Sequence, residues 1–213
     1  SKKLGFVSAQ YNLTVTGDCI VNGTFTTATL PTGAHSFGSL TIASGGAFTA
    51  TSGTTTLTGK NGSNYMLQNS GTFTHNKGTV KFKADTSSGT WAGENSTNAE
   101  ATSTKFYNFE TEATGSASSY RFWYGGNSFY LVVLGNLTIG AGSSIYSANG
   151  TSILRHYGSQ FNINGSASFD NVKDAQCGFI TIGTAGELEF NDGDQTLSCT
   201  GIRNLRGEDG VSA

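Results

Sequence analysis

Apolar residues along this chain come in very short alternating runs, and the runs repeat. Gly-small-Phe-Thr occurs as Gly23-Thr24-Phe25-Thr26, Gly46-Ala47-Phe48-Thr49 and Gly71-Thr72-Phe73-Thr74, with the Phe positions 23 and 25 residues apart. A second motif reads apolar-Thr-apolar, then a small-residue turn, then another apolar residue. It appears as Leu40-Thr41-Ile42 running to Phe48, Leu137-Thr138-Ile139 to Ile145, and Ile180-Thr181-Ile182 to Leu188. Leu13-Thr14-Val15 and Phe161-Asn162-Ile163 are weaker copies. A third motif places an apolar residue three positions after an aromatic one: Phe37/Leu40, Phe106/Phe109 and Phe169/Val172.

Alternation with period two gives each run one apolar face, the pattern of a strand. Gly, Asn and Ser between runs supply the left-handed backbone that tight corners need. One such coil cannot bury its own apolar face, whereas stacked coils share a continuous core. The repeat therefore predicts an all-β parallel β-helix (β-solenoid) with rungs of about 19–25 residues, in a single domain over residues 1–213. Helices are disfavoured, because Gly, Thr and Asn interrupt every stretch that would need apolar positions three and four apart. The alternative is an antiparallel β-sandwich or jelly roll, whose short strands give a similar pattern.

The repeat breaks in three places. Residues 84–104 are polar with little core material besides Trp91, and read as a loop excursion. Residues 120–130 hold the densest aromatic cluster. Tyr120, Arg121, Trp123, Tyr124 and Tyr130 are the candidate binding residues there, since aromatics with Arg make interaction hot spots and sugar-stacking platforms. The plainer alternative turns Phe122, Tyr124 or Phe129 into the core. Residues 201–213 read as a tail or docking strap, and Tyr11 to Val21 as a cap on one end.

Composition narrows the classes. Charged residues are only 12 % of the chain, against roughly 25 % in ordinary domains. Yet 36 % are hydrophobic and regularly spaced, which argues against disorder. The net charge is -2 with scattered Lys and Arg, so no basic stripe marks a nucleic-acid surface. No stretch has the length of a transmembrane helix or the shape of a secretion leader, so membrane insertion is not expected and synthesis in the cytoplasm is.

Candidate chemistry is sparse. Cys19, Cys177 and Cys199 are odd in number and far apart, unlike a disulfide framework or zinc site, and read as small reduced side chains. Cys177 and Cys199, 22 residues apart, fit neighbouring rungs. Glu110/Glu112, Glu187/Glu189 and Asp192/Asp194 each place two carboxylates on one side of a strand, as a glycosidase needs, but no Arg/Lys cluster completes a polysaccharide lyase site. Asn191-Asp192-Gly193-Asp194 begins like a calcium loop and then departs from it. His35, His75 and His156 are dispersed and read as surface residues. Thus no catalytic residue, metal or cofactor is assigned. Sequons such as those at Asn22, Asn136 and Asn164 are expected by chance in so Thr/Ser-rich a chain, and Thr-x-Thr triplets before residue 75 read as stabilising outward ladders.

The phrases Gly-Thr-Phe-Thr-His-Asn-Lys-Gly-Thr-Val-Lys-Phe at 71–82, Phe106-Tyr107-Asn108-Phe109 and Gly135-Asn136-Leu137-Thr138-Ile139 resemble the repeat-rich β-helical surface proteins of tailed bacteriophages and related bacterial adhesins. The resemblance covers most of the chain apart from 84–130 and is one of repeat style. It implies a non-enzymatic structural protein on the virion surface: capsid decoration, head fibre or tail-fibre component. Its partners would be other capsid or tail proteins, with a homotrimer and a host surface glycan as further partners. Assembly in the host cytoplasm would need no leader. The rival is an extracellular or cell-surface adhesin that binds glycan through 120–130, and a lesser rival is a polysaccharide-degrading β-helix enzyme.

Overall fold

The computed structural model describes residues 3–5, 12–26, 33–84, 91–92, 100–115, 118–121, 130–146, 152–169, 172–190 and 196–205. Its first strands are β1 (Lys3–Gly5), β2 (Thr14–Val21), β3 (Thr24–Thr26), β4 (His35–Ile42), β5 (Ala47–Thr49), β6 (Thr54–Leu57), β7 (Leu67–Asn69) and β8 (Thr72–Thr74). Then come β9 (Thr79–Ala84), β10 (Trp91–Ala92), a 3-10 turn (Glu100–Thr102), β11 (Lys105–Phe106), β12 (Asn108–Ala113), β13 (Ser118–Arg121) and β14 (Tyr130–Val133). The last are β15 (Leu137–Ile139), β16 (Ser143–Tyr146), β17 (Ser152–His156), β18 (Gln160–Ile163), β19 (Ser166–Ser168), β20 (Val172–Ile182), β21 (Glu187–Glu189) and β22 (Thr196–Asn204).

Every pairing among these strands is parallel, and each strand pairs with a strand one coil away. This is a parallel β-solenoid, and the antiparallel alternative is excluded.

The coil has three faces. On the first, one inward column runs Val15, Phe37, Leu57, Phe82, Thr111, Ile139, Ile163, Ile182, Asn204. Its neighbour two residues upstream runs His35, Thr55, Val80, Phe109, Leu137, Phe161, Ile180, Ile202. The second face carries the latter half of β2, the latter half of β4 and β7 in the early coils. In the later coils it carries β10, β13, β16, β19 and β21. The third face holds β1, β3, β5 and β8, followed by β11, β14, β17 and the first halves of β20 and β22.

The core is the sum of these columns. On the third face Phe48 is fully buried, and its ring meets those of Phe25 at 5.5 Å, Phe73 at 5.9 Å and Phe37 at 6.1 Å. Phe73 then meets Phe106 at 5.9 Å, joining the early and late coils of that face. Each such ring removes apolar area worth about 1.5–3 kcal/mol from water.

One feature of the stack runs against the sequence motifs. In the early coils Gly17, Gly38 and Gly59 form a corner between the first and second faces. In the late coils Gly135, Gly158 and Gly178 form the like corner between the third and first faces. The switch falls at β9, which pairs β6 on one side and β12 on the other. The glycine corner thus moves round by one face while the ladder passes through unbroken. Consequently Leu40-Thr41-Ile42 lies on the second face, whereas its sequence copies at 137–139, 161–163 and 180–182 lie on the first. Likewise Phe37 belongs to the first face and Phe106 to the third, so the aromatic motif is no single column.

Three boundaries also shift. Trp91-Ala92 inside the 84–104 excursion is a strand paired with Tyr120-Arg121. Residues 201–204 belong to β22, so a tail begins no earlier than Leu205. The Thr14–Val21 stretch is the terminal strand of its sheet, paired in parallel with β4 across a bulge between Val15 and Asp18.

Candidate binding groove and charged ladders

The aromatic segment predicted to bind is divided by the fold. Tyr120 is fully buried and touches the Phe82 ring at 5.9 Å. Its hydroxyl accepts from the Ala84 N–H at 3.0 Å and donates to the Glu112 carbonyl at 2.8 Å. Burial raises its pKa above the usual tyrosine value. As a core residue Tyr120 takes no part in an outer platform. Arg121 ends β13, and Tyr130 begins β14 half-buried on the third face, so the two flank one corner of the coil. Trp123, Tyr124, Phe122 and Phe129 lie outside the described residues.

The second face carries an open groove of about 280 Å³, lined by Ser118, Gly142, Ser143, Ser144, Gly165, Ser166, Ala185 and Glu187. It follows from the turns that lead onto this face. The turn 140–143 closes with Ser143 N–H on the Gly140 carbonyl, and Gly142 sits at φ 72°. A Cβ on Gly165 would run into the carbonyl oxygens of Ser143 and Gly140, so only glycine lets the coils close there. Ser119, Ser144, Ser166 and Glu187 form one outward column, with Ser144 Oγ donating to Ser119 Oγ at 3.0 Å. The parallel column is Tyr146, Ser168, Glu189. Hydroxyls, carboxylates and an aromatic on one strip can hydrogen-bond and stack against a polar ligand such as a sugar. The aromatic count did not point to this strip. The recurrence of Ser118-Ser119, Ser143-Ser144 and Ser166 at nearly the rung step would have.

The carboxylate pair Glu110/Glu112 is engaged elsewhere. It points outward from β12 against Lys81 and Lys83 of β9, with Lys81 Nζ at 3.0 Å from both Glu110 and Glu112. Burial works against the Lys81 ammonium, but its bonds to Glu112 and Glu110 together outweigh that and hold its pKa above the lysine norm. Hydrogen bonds from Lys83 and Lys81 hold the Glu112 carboxyl below the usual range. Glu187 and Glu189 share the outer side of β21, and Asp192 and Asp194 lie outside the described residues.

A second ionic group sits on the third face. Arg155 binds Asp174 at 2.7 Å and Glu100 at 3.7 Å, and Tyr157 donates a hydrogen bond to Glu100. Glu100 thereby ties the end of the excursion to β17. Beneath it Val132, which alternation turns outward between inward Leu131 and Val133, is fully buried.

His35 and His156 are buried, correcting their reading as surface residues. His156 joins three coils: Nε2–H donates to the Gly135 carbonyl at 2.8 Å, and Nδ1 accepts from Gly178 N–H at 3.3 Å. Among the described residues no group of three His, Cys, Asp or Glu is placed to hold a metal, and no helix is long and apolar enough to cross a membrane.

The last coil exposes apolar side chains, and the first coil carries one on its outer side. Ile20 is 62 % exposed in the first coil, and Ile202 is 52 % and Leu205 48 % exposed in the last, with Phe190 nearby in sequence at 41 %. Compared with known family models, curated proteins and solved structures, the chain has no match.

Proposed function

We propose that this chain is a non-enzymatic structural protein displayed on the surface of a tailed-phage particle, as a capsid decoration, head fibre or tail-fibre component. The observation that carries the reading is a stack whose last coil leaves Ile202 and Leu205 in solvent. A parallel solenoid end is an unpaired sheet edge, and proteins cover such edges. A neighbouring particle protein seated on the end coil covers both the edge and its apolar residues, and the rod then stands away from the particle. The resemblance in repeat style supports the same setting. Assembly in the host cytoplasm, with or without a trimer of the chain, fits this role.

Quantitative mass spectrometry of purified particles from the source tests it. A copy number close to that of the major capsid protein means decoration, and a few copies per particle means a fibre part. Absence from particles, with the chain found on cells, overturns the proposal.

The serine-lined groove favours a second reading, a glycan-binding adhesin on the cell surface. Its candidate binding residues are Ser144, Tyr146 and Ser166 on the second face, together with Arg121, Trp123, Tyr124 and Tyr130 from the aromatic segment of the sequence. Binding of the isolated chain to cell-surface polysaccharide, lost in both Tyr146→Ala and Trp123→Ala, would establish it. Cleavage of that polysaccharide, abolished by Glu187→Gln, would establish the enzyme instead.

A further inference from the structure

The last two strands of the third face carry two cysteines in register. Cys177 of β20 and Cys199 of β22 are Cα partners in a parallel pair, and both thiols are free. Cys177 is part of the hydrophobic core and Cys199 packs against it, so both side chains turn inward, one above the other. Adjacent strands lie about 4.8 Å apart, inside the Cα window of about 4.4–6.8 Å for a disulfide, and the stacked Cβ atoms need to close by only a few tenths of an ångström to reach the Cβ window of about 3.5–4.5 Å. Cys19 lies in β2 at the far end of the stack and cannot compete.

We propose that Cys177 and Cys199 are an oxidative modification site, which a small-molecule disulfide converts into a bridge stapling the last coil to the one before it. The inference rests on the fold alone and not on the proposed function.

The chemistry balances as two exchanges. The half-buried Cys199 thiolate attacks the small disulfide, forming a mixed disulfide and releasing one thiolate. Cys177 then attacks the Cys199 sulfur and expels the second. The two cysteines are oxidised, the small disulfide is reduced to two thiols, and the two cysteine protons end on those leaving groups. Burial, with Cys199 beside it, pushes the Cys177 thiol up to about 12, which makes Cys199 the first attacker and the second exchange the slow one. Faster bridging in alkaline buffer follows.

The bridge acts on the terminal coil. Among the described residues β22 pairs only with β20, and its side chains are half-buried or exposed throughout. Such an end opens locally before the rest of the fold. Joining Cys177 to Cys199 removes most of that opening.

The test treats the full chain with oxidised glutathione in mildly alkaline buffer, alkylates it and maps peptides. The expected product has lost two hydrogens, links Cys177 to Cys199 and leaves Cys19 alkylated. Amide exchange in β22 then slows on the order of a hundredfold, and dithiothreitol reverses it. Cys19→Ser should oxidise as the parent does, while Cys177→Ser should stop at glutathione on Cys199 without protecting β22. Glutathione persisting on Cys199 of the parent chain, or equal protection in Cys177→Ser, overturns the proposal.

Discussion

Alanine at Gly17 and alanine at Gly38 are the same chemical change at the same corner, one coil apart, and the stack gives them opposite signs. Neither glycine has a positive φ, so backbone strain is not at issue. A Cβ on Gly17 meets nothing within 4 Å. On Gly38 it would lie 2.6 Å from the carbonyl oxygens of both Gly17 and Thr16, where ordinary contact begins at 3.4 Å. The 0.8 Å deficit falls on main-chain atoms of β2, which cannot swing aside as a side chain does. Relief requires moving β2 from β4. Overpacking of this kind costs about 1–3 kcal/mol, and a ladder hydrogen bond weakened at the corner adds about 1 kcal/mol. Gly38→Ala should therefore destabilise by about 2–4 kcal/mol. Gly17→Ala should be neutral or stabilise by up to about 1 kcal/mol, since alanine narrows the unfolded ensemble. Urea unfolding followed by circular dichroism measures both. With a slope of about 2 kcal/mol per molar urea, the Gly38 variant's midpoint drops by about 1–2 M while the Gly17 variant's holds. Equal drops in the two variants, or none in Gly38→Ala, would refute the stacking argument.

Three further outcomes follow from contacts in the core and on the first face. His35, whose Nδ1 accepts from Leu13 N–H at 3.0 Å, and His156 are buried and neutral, and burial lowers both pKa values. The unfolded chain therefore binds more protons below about pH 6.5. Their stabilisation is whole above that pH and is lost as pH falls through the lowered folded values, by at most about 1.4 kcal/mol per pH unit for each histidine. Urea midpoints that stay constant from neutral to about pH 5.5 would contradict this. Tyr120→Phe strands the buried Ala84 N–H and should cost about 1–3 kcal/mol with the circular dichroism spectrum unchanged, and a neutral result would place the ring elsewhere. Lys81→Met should cost no more than about 1 kcal/mol, because the side chains of the Lys81–Glu110–Glu112 group are 22–36 % exposed, and the difference should shrink in high salt. A larger cost that persists in salt would mean a structural role beyond the ion pairs.

The fold class was legible because a solenoid writes its periodicity into every coil. Phe25, Phe48 and Phe73, noticed as a sequence repeat, are consecutive members of one column. Cys177 and Cys199, read as rung neighbours from their spacing, are Cα partners. What misled was phase. The Leu40-Thr41-Ile42 and Leu137-Thr138-Ile139 motifs look alike because each is a strand running into a tight glycine turn, and that local demand is the same on any face. Which face a motif occupies depends on the residues accumulated since the previous corner, and the 57–67 and 84–105 connections change that sum without a mark in the motif. The aromatic cluster misled differently. Composition at 120–130 suggested a surface, but strand alternation sends Tyr120 inward, where its hydroxyl ties β13 to β9 and β12. His35 and His156 escaped notice because a buried histidine needs partners supplied by neighbouring coils, here main-chain groups of Leu13, Gly135 and Gly178.

At β9 the ladder of the first face passes unbroken while the glycine corner moves round by one face. Backbone nuclear Overhauser contacts from Val80 test this most directly. Parallel contacts to Thr55 on one side and Phe109 on the other are predicted. Contacts of antiparallel type, or a Val80 that neighbours only one of the two, would contradict it.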